Sequence, residues 1–304
     1  MAWRVHLTNQ AIQRLDILKG KPSLLAVWTR RDRVHCFNLN TGAEVGEQTI
    51  NGGKSDERKS AAWQVFLKGL TAPNNAPLPQ VRVGGLTILT TDDGLMRLYA
   101  SDGTLSVEIE GKEIPLETGG KGVIAVGLDR FLGLVAALDE DGKLHIFQQH
   151  IPVGVFDMEL DLETGVMPAV VLARGGAAIF VTDGRKIIRT DSGAKSRKVF
   201  EAHYFIGRMA CSPDGSLLAA SDTDNGVIRL YNGKDLTPTH QRHAIDLLAE
   251  ATQVQLIADL PPENIALSAL AVSDKGLLAF AMSGVVCVTE GDQMDALPRP
   301  QALL

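Results

Sequence analysis

Cysteine is scarce in this chain: three residues, Cys36, Cys211 and Cys287, in 304. An odd number at wide spacing supports neither a disulfide framework nor a zinc site. Each lies in an apolar, strand-like run, so they read as buried thiols in a reducing compartment. Basic excess is also missing, since the net charge is −6. General nucleic-acid binding, which uses a basic face, is therefore not expected. No window holds about 18 uninterrupted apolar residues, so no membrane span is expected. The opening Met1-Ala2-Trp3-Arg4-Val5-His6 lacks the basic and apolar stretches of a leader. These absences point to a cytoplasmic protein, monomeric, with neither membrane nor nucleic acid as partner.

Catalytic signatures are missing as well. There is no Gly-x-Ser-x-Gly elbow, no phosphate-binding glycine loop and no nucleophile–base spacing. The seven histidines are His6, His35, His145, His150, His203, His240 and His243. Only His240 and His243 come near metal-ligand spacing, and no third ligand accompanies them. Asp222-Thr223-Asp224-Asn225-Gly226 opens like a calcium loop, but Gly233 stands where the closing glutamate is needed. The expectation is no cofactor, no metal, no catalytic residues and no enzyme.

Glycine, at 30 residues, is plentiful. It marks a weak internal repeat: strand, tight turn, strand, six times over. The pairs are Leu24–Thr29 with Arg33–Asn38, Leu86–Thr90 with Leu95–Ala100, and Leu132–Leu138 with Lys143–Phe147. Ala177–Thr182 pairs with Lys186–Thr190, Leu217–Ser221 with Val227–Tyr231, and Leu277–Met282 with Val285–Thr289. Asp93-Gly94, Asp141-Gly142, Asp183-Gly184, Asn225-Gly226 and Ser283-Gly284 fall between them, as hairpins with positive-φ turns require. Asn40-Thr41-Gly42, Ser101-Asp102-Gly103, Asp191-Ser192-Gly193 and Asn232-Gly233 read as further turns. The unit is thus three or four short antiparallel strands, the size of a propeller blade at about 40–50 residues.

The turn glycines at 94, 142, 184, 226 and 284 lie 48, 42, 42 and 58 residues apart. The first hairpin turns at Asp32, 62 residues before Gly94, without a glycine. The expected fold is all-β: one β-propeller over 1–304, six blades favoured, with one or two short helical insertions between blades, at about 51–80 and 241–264. Seven blades is the alternative, with a degenerate blade in the first long gap. The final segment, about 294–304, reads as a flexible tail, and its prolines make it a poor fourth strand for the last blade.

Met209-Ala210-Cys211-Ser212-Pro213-Asp214-Gly215-Ser216-Leu217-Leu218-Ala219-Ala220 resembles the Ser-Pro-Asp-Gly turn of WD-repeat proteins. Asn225-Gly226-Val227-Ile228-Arg229-Leu230-Tyr231 resembles that family's third strand, with Tyr231 in the usual tryptophan position. Ala202-His203 is similar to its Gly-His pair. The match covers about 30 residues, and no blade carries the family's full His/Ser/Asp/Trp set. By resemblance to other propellers, Trp3-Arg4-Val5-His6-Leu7 closes the ring as the outer strand of the last blade.

Three stretches remain. Asp157-Met158-Glu159-Leu160-Asp161-Leu162-Glu163 alternates acid and apolar, which at strand period puts four carboxylates on one solvated face. Arg185, Lys186, Arg189, Lys195, Arg197 and Lys198 are locally basic and suited to pair with it. In the first insertion, residues 55–69 suit a capped helix, with Trp63, Phe66, Leu67 and Leu70 on one stripe. The second insertion suits a shorter helix bearing Ile245, Leu248, Ala251 and Leu256. The resemblance implies a protein-interaction or scaffold module, with a protein partner on the insertion-bearing face. The partner-binding candidates are Arg58, Lys59, Trp63, Phe66 and Glu250. A small-ligand sensor using the channel mouth and a lactonase-like propeller hydrolase are the alternatives.

Overall fold

In the computed structural model, the described residues are 3–7, 12–18, 23–29, 33–49, 87–91, 96–101, 103–129, 131–162, 168–250, 267–282, 284–291 and 294–297. They form six antiparallel sheets, the blades of a β-propeller. The N-terminal strand β1 is Trp3–His6. Blade 1 comprises β2 (Ile12–Leu18), β3 (Leu24–Thr29), β4 (Arg33–Asn38) and β5 (Glu44–Thr49). Blade 2 follows with β6 (Thr87–Thr90), β7 (Met96–Ser101), β8 (Thr104–Ile109) and β9 (Lys112–Pro115). Blade 3 has β10 (Val123–Leu128), β11 (Leu134–Asp139), β12 (Lys143–Gln148) and β13 (Ile151–Asp157). Blade 4 has β14 (Ala169–Leu172), β15 (Ile179–Thr182), β16 (Lys186–Thr190) and β17 (Lys198–Glu201). Blade 5 has β18 (Ile206–Cys211), β19 (Leu217–Asp222), β20 (Val227–Asn232) and β21 (Pro238–His243). A short helix α1 (Ala244–Glu250) leads on to blade 6, with β22 (Ala269–Val272), β23 (Leu277–Met282) and β24 (Val285–Glu290).

Blade 6 lacks a fourth strand of its own, and β1 supplies it. Trp3 stands opposite Val288 and Val5 opposite Val286, so the N-terminal strand closes the ring as expected. The indole donates to the Leu39 carbonyl at 2.8 Å and its ring lies 5.9 Å from that of Phe37. β1 therefore ties the last blade to the first. The segment read as a tail begins by adding β25 (Asp295–Ala296) to the outer edge of β21.

The second strand of each blade lies between two others and faces a neighbouring blade on both sides. It therefore reads as a continuous apolar run rather than an alternating one. Leu24–Thr29 and Leu134–Asp139 are buried at every position. Alanines recur here (Ala26, Ala136, Ala137, Ala219, Ala220, Ala279, Ala281), because blades converge toward the axis and the space tapers. Apolar clusters fill the seams between successive blades from blade 2 round to blade 1.

The described residues at the seam between blades 1 and 2 include buried polar groups. Leu98 faces blade 3 in one of these clusters, so by strand alternation Arg97 and Tyr99 face blade 1. Arg97 occupies the position of Leu25, Leu218 and Leu278 in other blades. Two of its guanidinium nitrogens are buried without a hydrogen-bond partner, 3.6 Å or more from Glu108. Tyr99 donates to Glu108 at 2.6 Å, and burial pushes the Tyr99 hydroxyl pKa up. On the blade 1 side, Trp28 donates to Asp16 at 2.7 Å, and Arg14 pairs with Asp16 at 2.9 Å.

Blade 2 also corrects the repeat phase. The Thr87–Thr90 and Met96–Ser101 hairpin is the first pair of its blade, not the second and third strands as in the other units. Thr91 N–H donates to the Met96 carbonyl, as Ser212 does to Leu217 and Ser273 to Leu277 at the first turn of blades 5 and 6. The glycine matching Gly142 and Gly184 is therefore Gly103, not Gly94. Asp93-Gly94 and Asp102-Gly103 are both good turn dipeptides in one blade, and turn chemistry cannot choose between them.

The acidic alternation is corrected too. β13 ends at Asp157, and Glu159 takes a left-handed φ of 51°. Residues 158–162 are an irregular connection that turns Met158, Leu160 and Leu162 onto the blade 3–4 cluster. The expected pairing with the basic stretch does form: Arg197 meets Glu159 at 3.0 Å. No helix among the described residues is long and apolar enough to cross a membrane.

Candidate functional site

Strand order gives the ring two distinct faces. On one, the turns between second and third strands sit beside the connections between blades. Val123 N–H donates to the Gly103 carbonyl, Ile206 to Gly184, Ala244 to Gly226 and Leu7 to Gly284. On the other, first turns and last turns of each blade meet, as when Gln149 donates to Gly133, Ser192 to Gly176 and Gly291 to Gly276.

Both long interblade connections, after β5 and after β21, leave the first of these faces. Arg58, Lys59, Trp63 and Phe66, with the whole expected helix at 55–69, lie outside the described residues. Glu250 is described: it ends α1, is exposed, and pairs with Arg242. The helix buries Ala244, Leu247 and Leu248 in the blade 5–6 seam and leaves Asp246 and Glu250 in solvent. Of the expected stripe, Leu248 is buried and Ile245 partly so, Leu247 joins them, and Ala251 and Leu256 lie outside the described residues. Residues 241–243 belong to β21, so the insertion starts at Ala244.

Polar side chains on this face are occupied with structure. Asp139 accepts backbone N–H groups from Asp141 and Lys143 and meets the buried His145 ring at 2.7 Å. Burial acts against its charged form, yet these bonds, led by the one from His145, leave its pKa below the usual carboxylate range. Asp183 caps Arg185 and Lys186 in the same way, and Asp222 caps Asp224 and Asn225. The calcium-like run is thus an ordinary capped turn, and no group of ligands that could hold a metal occurs among the described residues.

His203, set by the resemblance in the Gly-His position, is exposed. The next residue takes the internal role. The Tyr204 hydroxyl bonds that of Tyr231, and the Arg229 guanidinium stacks on the Tyr204 ring at 3.7 Å while reaching Asp222 at 3.5 Å. Burial pushes both phenol pKa values up. Five residues past the second-to-third-strand turn, where the family has tryptophan, the six blades carry Phe37, Glu108, Phe147, Arg189, Tyr231 and Thr289. Three are not aromatic, and of the three blades that keep an aromatic residue here only blade 5 also has the Ser-Pro-Asp-Gly turn.

On the opposite face the channel opens into a cavity of about 270 Å³. Its walls are the first strands of all six blades, including Leu15, Leu89, Leu128, Leu172, Met209 and Leu270. The two carboxylates in the lining are engaged. Asp16 holds Trp28 and Arg14, and Asp129 accepts the N–H groups of Phe131 and Gly175 at 2.9 and 2.7 Å. Cys211 also lines it, its thiol pKa pushed up to about 12 by burial, which leaves little thiolate at neutral pH. No histidine lines the cavity among the described residues.

Beside that mouth lies a group the sequence reading missed. Phe131 and Leu132 sit in the first turn of blade 3, where Leu132 is 52% exposed. Arg174, in blade 4's first turn, stacks its guanidinium 5.2 Å from the Phe131 ring centre. The sequence reading had placed Leu132 at the start of a strand; β11 begins at Leu134, after the turn. Two adjacent apolar residues in a tight turn were the available signal.

No family model and no curated protein matches the chain. Solved structures do. Over 96% of this chain it is similar to Raptor of Chaetomium thermophilum, at a TM-score of 0.55 and 14% identity, spanning 25% of that protein. It also resembles the U3-55K structure (TM-score 0.55, 11% identity, 98% of this chain and 84% of that one). The WD40 repeats of RRP9 match equally, at TM-score 0.55 and 11% identity, over 98% of this chain and 83% of theirs. The fold is a β-propeller like that of these WD40-repeat structures.

Proposed function

We propose that the chain is a non-catalytic scaffold that presents the insertion-bearing face of its propeller to a protein partner. The observation that carries this is that β5 and β21, after which the two long interblade connections follow, both end on one face. α1 supports it by burying its apolar side within the ring and turning Asp246 and Glu250 outward. The WD-repeat fold, with a ring closed by its own N-terminal strand, gives such a face a rigid base. The polar side chains described there are committed to caps and stacks, which suits a surface that positions a partner better than one that turns over a substrate. Arg58, Lys59 and Glu250 supply charge for docking, and Trp63 and Phe66 supply aromatic anchors.

The test is affinity capture from the native organism, followed by quantitative binding of the partner obtained. Charge reversal at Arg58, Lys59 and Glu250 should weaken binding while leaving the melting temperature within a degree or two. The Glu250 pair with Arg242 is exposed and worth about 0–1 kcal/mol to the fold. Retained affinity in all three variants, with loss from substitutions on the opposite face, would reject this assignment.

A further inference from the structure

We infer that the first-turn face carries a second docking site, at Phe131, Leu132 and Arg174, for an extended peptide segment that sets an acidic residue beside a bulky apolar one. Three observations meet here. Leu132 is among the few large apolar side chains left exposed in the described residues. It lies against Gly175, whose missing Cβ would sit 3.5 Å from the leucine's Cδ1, so leucine and arginine turn form one surface. Arg174 is exposed, stacks on Phe131 and makes no ion pair among the described residues. Phe131 and Pro213 then carry this surface to the lip of the apolar cavity.

The patch is held rigid. Asp129 bonds the N–H groups of both Phe131 and Gly175, locking the turns of blades 3 and 4 together. Arg174 N–H donates to the Pro213 carbonyl at 2.8 Å, locking blade 4 to blade 5. A guanidinium held over an aromatic ring can still turn its N–H groups to a carboxylate and has less freedom left to lose.

Charge selects the occupant. Asp129 is buried and doubly bonded. Nearby, Asp214 accepts Ser212 and Ser216, and Asp274 accepts the Asp214 N–H. Among the described residues, the uncommitted charge at the patch is the Arg174 cation, so a partner carboxylate complements it. An extended peptide advances about 3.3 Å per residue, so an acid on Arg174 and an apolar side chain at the cavity lip fall one or two positions apart.

This rests on the protein-binding reading but not on its choice of face. The test uses the full chain and a random twelve-residue phage-displayed peptide library, panned in parallel on the wild type and on Arg174→Glu. Peptides enriched on the wild type alone should carry Asp or Glu one or two positions from Leu, Ile, Met or Phe. As synthetic peptides they should bind at least tenfold more weakly to Arg174→Glu and to Leu132→Asp, both of which should melt like wild type. Exchanging the peptide's acid for lysine should restore binding to Arg174→Glu. Glu250→Lys, on the far face, should leave peptide affinity unchanged. The inference is overturned if no such pattern is enriched, or if both variants bind normally. It is also overturned if Glu250→Lys alone weakens binding, although the protein-binding reading then stands.

Discussion

Replacing Trp3 with alanine tests the closure of the ring directly. The indole is 8% exposed, lies against Phe37 and donates to the Leu39 carbonyl at 2.8 Å. Gly42 passes so close that a Cβ there would come within 2.8 Å of the ring, so the pocket is fitted to it. Truncating a buried tryptophan costs about 3–5 kcal/mol, and the lost hydrogen bond accounts for about 1 of these. At about 2.1 cal/mol/K per residue, unfolding this chain carries an entropy near 0.6 kcal/mol/K. A loss of about 4 kcal/mol therefore lowers Tm by roughly 6 °C. Trp3→Phe keeps most of the packing and should lower it by about 2 °C. Differential scanning calorimetry, with urea unfolding as a second probe, reads both. If Trp3→Ala melts like the wild type, β1 does not hold the ring closed. If the two variants fall equally, the hydrogen bond dominates and the packing argument is wrong.

Arg97→Leu alone leaves the part-buried Glu108 carboxylate without the guanidinium 3.6 Å away and should lower the urea midpoint, whereas Arg97→Leu with Glu108→Leu should leave it unchanged or raise it; a rise in the single variant would mean the pair contributes nothing to the fold. The Asp139 pKa lies below its unfolded value of 3.8, so its stabilising contribution is complete above that pH and is lost as pH falls through the folded value. Acid unfolding below about pH 4 should accordingly be shallower in Asp139→Asn than in wild type, whatever the variant's loss at neutral pH. Gly233→Ala would drive a Cβ into the Gly215 carbonyl oxygen and should cost more than 2 kcal/mol or so, whereas Gly119→Ala, with a left-handed φ of 67° but open space around it, should cost about 1. Thermal melts of the two proteins side by side decide this, and equal losses would show that the backbone shifts to relieve the close approach at Gly233.

Much of the fold was legible because propeller blades are written locally. Leu24–Thr29 and Arg33–Asn38 were bounded to the residue by apolar runs and turn chemistry, and the partner of β24 followed from the want of a fourth strand in the last unit. Blade 2 was misphased because two adequate glycine turns occur in one unit, and only the hydrogen bonds of Thr91 and Gly103 to their neighbours separate them. The acidic run read as a strand because alternation is necessary for a strand but not sufficient. Met158 and Leu160 alternate in the sequence to reach a hydrophobic cluster from an irregular path. The sequence by itself carried the repeat, which is written locally, favoured six blades over seven, and by resemblance to other propellers pointed to the closing strand, whose partner lies at the far end of the chain. Tertiary structure alone decided which residues meet across blades. Tyr204 reaches Tyr231 over 27 positions, and Asp129 reaches Gly175 over 46. Such contacts depend on how one sheet is rotated against the next around the axis, and no local pattern encodes that rotation.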